Sequence, residues 1–198
     1  MHVRSAGMGI SVVSSLTIEA LDLQGLNVVQ RNRLGDSRGF FSRMFCSEEL
    51  AACGWNEPVV QINHTMTERN GTVRGLHFQL PPFAEMKLVS VLRGEVWDVA
   101  VDLRAESPTF LQWRAQLLSA ENRRALLIPK GFAHGFQALS SSVELIYCHS
   151  APWNAASERV LSATDPRLAI AWPLPIATMS ERDAAAAYVD GEFKGISL

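Results

Sequence analysis

The sequence has little of several things that would point away from a compact enzyme. Three cysteines in 198 residues, Cys46, Cys53 and Cys148, form neither an even framework nor a C-x-x-C pair, so a disulfide scaffold is excluded and reduced thiols in a cytoplasmic protein are expected. Charge of either sign is scarce in excess: the formal net charge is -2. That balance offers no electrostatic reason for duplex nucleic acid or an anionic membrane to be a partner, and any bound anion must be held by a local basic pocket. No apolar run approaches the roughly 20 residues of a membrane span. There is no internal repeat and no low-complexity tract. The start of the chain, residues 1–15, is basic and broken by Ser and Gly, which reads as an N-terminal arm rather than a signal peptide. Residues 16–198 are then expected to form one domain, because the length suits a single substantial core better than two small ones.

What is present is mostly strand pattern. Apolar residues make up 47% of the chain and charged residues 19%, an ordinary globular balance. Short β-rich runs follow one another from about Leu26 to Ser150. Val59 to His64 alternates, with Gln61 and Asn63 on one face and Val60 and Ile62 on the other. Lys87 to Leu103 reads as a hairpin broken at Arg93-Gly94-Glu95. Further strands are expected at Leu111 to Leu118, Ala125 to Ile128, Gly135 to Leu139 and Val143 to His149, separated by turn-forming residues. Two short helices are predicted. One spans Ser47 to Cys53, with Ser47 as cap and Gly54 as stop; the other begins near Ser180, where Ser180 and Asp183 form a capping-box-like pair. Residues 151–179 carry four of the nine prolines and read as irregular wrapping chain. Many short strands with few helices imply an all-β sandwich or barrel.

Two histidines stand in contexts that can carry chemistry. His77 lies in Val73-Arg74-Gly75-Leu76-His77, where a buried structural histidine and a proton shuttle fit the pattern alike. Arg74 has opposite strand parity to His77, so both can face one cavity only if Gly75 hosts a bulge or the strand begins after it. His134 lies in Pro129-Lys130-Gly131-Phe132-Ala133-His134, a Pro-x-Gly-x-x-His turn similar to the second motif of the cupin superfamily. Metal-binding cupins carry an HxH pair in their first motif, whereas His77-Phe78-Gln79 stands here. His2, His64 and His149 offer no spacing for a third ligand, and two histidines are a poor transition-metal site, so no metal is expected.

With those histidines in place, the chain resembles the dTDP-4-dehydrorhamnose 3,5-epimerase family over about four-fifths of its length. The stations, in order, are GDSRGFF, QINHTMT, GTVRGLHFQLPP, KLVSVLRGEVWDVAVDLR, SPTF, LLIPKGFAHGF, ELIYCHS, SERVLSATDP and SERDA. The resemblance implies a cupin-type double-stranded β-helix (jelly roll) with a few peripheral helices, and a cofactor-independent epimerase acting on a nucleoside-diphosphate 4-keto-6-deoxyhexose. It also implies a homodimer. It places His77 as general base, Tyr147 as proton donor on the opposite sugar face, Asp183 as the carboxylate orienting His77, and Lys87 at the ketone oxygen. Arg38, Gln61, Asn63, Arg74, His134, Glu158 and Arg182 fall at positions contacting the nucleotide diphosphate or sugar, Arg38 from the neighbouring subunit. Trp153 falls where an aromatic ring, usually Tyr, stacks on the base.

Each role has a plainer alternative. Tyr147 fits a ring buried in a strand, Lys87 an exposed edge charge, Arg38 a turn arginine and Trp153 packing under a loop. Asp183 fits a helix cap, with Asp165 as reserve candidate for the dyad. Arg43 departs from the family, which usually has Glu there, and puts the nucleotide or sugar in question. The rival activities are epimerisation at C3 or C5 alone, a metal-dependent cupin oxygenase, and a sugar-binding cupin without turnover.

Overall fold

The computed structural model describes residues 15–198, so the N-terminal arm expected at residues 1–15 lies outside the described residues apart from Ser15. Thirteen strands and two short helices follow. They are β1 (Leu16–Ala20), β2 (Asn27–Arg31), β3 (Arg33–Asp36), β4 (Gly39–Ser42), α1 (Ser47–Ala51), β5 (Gln61–Thr67), β6 (Val73–Gln79) and β7 (Lys87–Arg93). The chain continues through β8 (Glu95–Asp102), β9 (Trp113–Ser119), β10 (Arg124–Ile128), β11 (Phe132–Ala138), β12 (Val143–His149), β13 (Glu158–Val160) and α2 (Glu181–Ala184). A six-stranded sheet runs β1-β2-β10-β7-β12-β5 and a five-stranded sheet runs β13-β6-β11-β8-β9, while β3 and β4 form a separate hairpin. Every pairing between strands is antiparallel. This is the all-β, cupin-type sandwich expected.

Side-chain parity explains how the sheets pack. Val89 and Val91 of β7 and Val143 and Leu145 of β12 meet Val96 and Ala100 of β8 and Phe132 and Phe136 of β11 in one buried cluster between the sheets. The alternate residues face outward and are covered. Leu76, Val99, Val101 and Ala133 lie under Leu161, Leu168, Val189 and Ile196 of the wrapping chain. Leu88, Leu127 and Cys148 lie under Leu50 of α1 and Trp55. Burial on both faces of the central strands is why they read as nearly continuous apolar runs. Toward one end of the sandwich the inward positions turn polar, and a cavity opens there.

Local differences from the sequence reading have simple causes. The first helix starts at Ser47 but ends at Ala51, short of the expected Cys53; its N-cap is the extended Cys46, which makes no side-chain cap bond, and Ser47 is already helical. β5 starts two residues later than expected, at Gln61, and β13 pairs with β6 inside the stretch read as irregular.

Candidate active site

A cavity of about 550 Å³ occupies the polar end of the sandwich, within the usual range for small-molecule sites. Of the predicted site residues, Gln61, Asn63, Arg74, His77, Lys87, His134, Tyr147, Trp153, Glu158, Arg182 and Asp183 all line it; Arg38 does not. β5, β6, β7, β11 and β12 supply the walls, while the wrapping chain and α2 close one side.

The parity conflict between Arg74 and His77 is resolved by a bulge. His134 faces His77 across the β11–β6 pair, but two residues further along β11, Phe136 faces Arg74, three residues back on β6. The extra residue lies beside Gly75, whose φ of +123° suits glycine and whose missing side chain leaves room for Gly135. Arg74 and His77 therefore reach the same cavity.

His77 Nε2 lies 2.7 Å from Asp183 Oδ1. The carboxylate accepts the Nε2 proton, which leaves Nδ1 as the basic nitrogen of the neutral ring. Asp183 Oδ2 also accepts from the Gly75 N–H at 3.3 Å, and its own N–H donates to Ser180 Oγ at 3.1 Å. The capping box is thus half made: Ser180 caps α2, while the Asp183 side chain is spent on His77. Burial alone would push the Asp183 carboxyl up, but bonds from His77, Gly75 and Ser180 together hold it below the usual carboxylate range. The reserve candidate Asp165 instead accepts from the Arg167 and Val189 N–H groups, away from the cavity.

Tyr147 is buried, with its hydroxyl 3.4 Å from Thr65 Oγ1 and its ring edge-on to His134 at 6.1 Å between centroids. Burial raises its phenol pKa; the Thr65 contact and the nearby Arg74 charge pull the other way, and Asp98 adds to the rise. Its phenol proton is therefore held at neutral pH. Lys87 is no edge charge: it is buried, donates to the His77 carbonyl at 3.3 Å and pairs with Glu85 at 3.1 Å.

The cations divide by partner. Arg74 donates to Thr67 Oγ1 and the Met66 carbonyl, and among the described residues it has no carboxylate partner, so its charge is available to an anionic ligand. Arg182 pairs with Glu158 at 2.8 Å. Burial would raise the Glu158 carboxyl, but hydrogen bonds from Trp153 and Arg182 hold it low. Trp153 is 58% exposed rather than packed under the loop, and its backbone N–H is held by Gln61 Oε1 at 2.9 Å. Gln61 Nε2 in turn donates to Asn63 Oδ1.

Arg38 lies on the β3–β4 hairpin, bonded to Asp36 in a two-pronged pair. Arg43, the residue of reversed charge, pairs with Glu49 of α1 at 2.6 Å and does not line the cavity of its own chain. Its charge is therefore matched locally.

Sequence reasoning missed two cavity groups, His149 and Glu85, and a buried carboxylate behind the cavity, Asp98. Asp98, fully buried, accepts from or pairs with His134 Nε2 through both carboxylate oxygens at 3.0 Å. An aspartate on the inward parity of an apolar strand was the available signal. His149, two residues after Tyr147 on the same strand face, lies 3.4 Å from Asn63 Nδ2. Glu85, two residues before Lys87, has only that spacing to mark it.

The sequence profile of the dTDP-4-dehydrorhamnose 3,5-epimerase family matches residues 20–190. A dTDP-4-dehydrorhamnose 3,5-epimerase from Pseudomonas aeruginosa is 48% identical over 151 residues, 75% of this chain and 82% of the relative. One from Sinorhizobium fredii is 38% identical over 179 residues, 90% of this chain and 92% of the relative. Among solved structures, the dTDP-6-deoxy-D-glucose-3,5-epimerase of Legionella pneumophila, in complex with dTDP-4-keto-L-rhamnose, superposes with a TM-score of 0.85 at 39% identity, covering 92% of this chain and 99% of that one. A profile match along nearly the whole chain, together with relatives of this identity and coverage, leaves one conclusion: the chain belongs to the dTDP-4-dehydrorhamnose 3,5-epimerase family.

Proposed function

We propose that this protein epimerises dTDP-4-dehydro-6-deoxy-D-glucose at C3 and C5, giving dTDP-4-dehydro-L-rhamnose, by proton removal and return through an enolate and without a cofactor. The observation that carries the reading is a histidine held by a buried carboxylate, opening on the same cavity as a phenol kept protonated by burial. Hydrogens on carbons flanking a ketone are acidic because the carbanion spreads onto the carbonyl oxygen. His77 Nδ1 takes the proton and Asp183 stabilises the imidazolium formed. Lys87 donates to the oxygen as it becomes an enolate, and charge preorganised at that atom is worth as much as the proton transfer itself. Tyr147 gives its proton to the carbon from the opposite face, and the resulting phenolate and imidazolium return to their starting states by exchange with solvent. The net change is inversion.

Arg74, with its uncommitted charge, suits the diphosphate, and the open indole of Trp153 suits stacking on the base. Gln61, Asn63, His134, Glu158 and Arg182 complete the contacts. Residues 16–198 act as the catalytic unit in this reading. Three free thiols support a cytoplasmic setting, and among the described residues no helix is long and apolar enough to cross a membrane. A homodimer would bring Arg38 to the neighbour's cavity, which the exposed β3–β4 hairpin supports.

The test is to incubate the protein with dTDP-4-keto-6-deoxyglucose in heavy water and read deuterium at each carbon. Incorporation at C3 and C5 with formation of the L-rhamno product is expected; incorporation at one carbon only would reduce the activity to a monoepimerase. Tight binding with no incorporation would make the protein a binder. Tyr147→Phe is expected to retain exchange at a carbon while net inversion slows by about 10²-fold. Equal loss of exchange and inversion would remove the donor role.

A further inference from the structure

Lys87 is the one buried lysine of the cavity, and its surroundings are more elaborate than an enolate-stabilising cation requires. An ammonium has three N–H donors. One goes to the His77 carbonyl, and the ammonium stands 3.1 Å from Glu85 Oε1 as an ion pair. The two side chains are 9% and 5% exposed, so the pair is desolvated, and a buried ion pair of this kind adds little net stability because desolvation offsets the attraction. A carboxylate beside the ammonium also weakens the positive field that an enolate oxygen would feel. Glu85 is thus a poor device for stability and a costly one for charge. Its other oxygen shows what it does instead. Glu85 Oε2 accepts from Gln79 Nε2 at 2.9 Å, and that same amide nitrogen also donates to the carbonyls of Phe83 and Pro152. Gln79 Oε1 accepts the Asn154 N–H at 2.6 Å. Both residues flanking Trp153 are therefore tied to Gln79, Gln79 to Glu85, and Glu85 to Lys87. On the far side, Lys87 stands opposite His149 across the β7–β12 pair, and Lys87, Glu85 and His149 all line the cavity.

We propose that Glu85 is a positioning residue for the epimerisation: it fixes the direction of the Lys87 ammonium and, through Gln79, joins that cation to the segment carrying the base-stacking Trp153. The inference rests on the reading of Lys87 as the group at the ketone oxygen. Its consequence is that the two ends of the cavity are held in one register by a buried ion pair and the hydrogen bonds of Gln79, so that a ligand seated against Trp153 meets Lys87 already aimed.

The experiment compares wild type, Glu85→Gln and Glu85→Asp with dTDP-4-keto-6-deoxyglucose as substrate and dTDP as binding probe. Without turnover by the wild type, the proposed function fails and not this inference. With turnover, Glu85→Gln is expected to lower kcat by about tenfold while KM and the dTDP Kd stay within about twofold, because orientation and not affinity is lost. Glu85→Asp keeps the charge on a stem one methylene shorter and is expected to recover at least about threefold of that kcat. If Glu85→Gln does not fold, Glu85→Asp alone should still show a lower kcat at unchanged dTDP affinity. A kcat in either variant equal to or above that of wild type overturns the proposal. So does an equal loss in both variants that tracks a fall in thermal midpoint and in dTDP affinity, which would make Glu85 structural only.

Discussion

His149 follows Tyr147 by two residues on β12, and its ring lies nearly parallel to the phenol at 6.2 Å between centroids. Burial, reinforced by the Lys87 ammonium and only partly opposed by Glu85, lowers its pKa to about 4. The ring is therefore neutral at neutral pH, a hydrogen-bonding plate rather than a charge. The same shift fixes a pH dependence of stability. An unfolded histidine takes up its proton as pH falls through about 6.5, while the folded one refuses until about 4. Stability from this group is complete above about pH 6.5 and declines as pH falls from there toward 4. At pH 5 the loss is about 2 kcal/mol, which for a chain of this size lowers the thermal midpoint by roughly 4–8 °C. His149→Phe keeps a flat ring and cannot charge, so its midpoint should drop less than that of wild type between pH 7.5 and pH 5. Melting both proteins at the two pH values checks this, and an identical drop would mean that His149 is not buried as described. The Asp183 pKa is lowered as well, but there the favoured form is the charged one, so the partner of His77 persists across the same range and its contribution is lost only at lower pH.

At the scale of elements, β6 shows best what could be read in advance and what could not. The alternation of Arg74 and His77 announced a conflict, and Gly75 was the only residue between them able to resolve it. That the bulge forms follows from the partner strand: a Cβ on Gly75 would stand 2.5 Å from the Gly135 Cα, so both glycines are needed for β6 and β11 to approach. Gly75→Ala is expected to cost at least about 2 kcal/mol through the positive φ and the clash, and to lower kcat/KM by about 10²-fold as Arg74 and His77 lose their common face. Thermal melting and initial rates measure both, and a fully active variant of wild-type stability would count against the bulge. Other elements were legible because their pattern is local. β12 starts and ends where alternation placed it, and the chain turns at Gly94 as the Arg-Gly-Glu break implied; the hairpin expected there does not form, because the turn carries β7 of the six-stranded sheet into β8 of the five-stranded one and the two strands do not pair. The cap of α1 was not legible, since Ser47 and Cys46 differ by one residue in register and only backbone geometry decides which is extended. Asp98, Glu85 and His149 were hidden for another reason. Their partners His134, Lys87 and Asn63 include residues from other strands, and strand order is a property of the whole sandwich.

For the whole molecule, the question is what a single copy leaves unfinished. β5 puts Gln61 and Asn63 into the cavity and turns Ile62 and Met66 to the outside, 60% and 45% exposed. Alternation gave that partition of faces, and the polar Gln61–Asn63 pair marked the face that lines the cavity. The β3–β4 hairpin carries Leu34, Phe40 and Phe41 at the surface, the two rings 60% and 61% exposed, with Arg38 at its tip. A two-stranded hairpin is marginal by itself, and apolar side chains gathered on one are characteristic of an interface. Arg38 is also the one predicted site residue that its own cavity lacks. These facts have a common resolution if a second copy receives the hairpin, buries its rings and gains Arg38 at the diphosphate. Sedimentation should then give twice the chain mass of 21.8 kDa. Replacing Phe40 and Phe41 together by Asp should yield monomers with at least about 10²-fold lower kcat/KM, the loss expected when a positioning cation is removed. Arg38→Ala should remain dimeric and raise KM, because it deletes a phosphate contact and leaves the His77 face intact. A wild-type monomer with full activity would show that the cavity is complete in one copy and that Arg38 serves only its own hairpin.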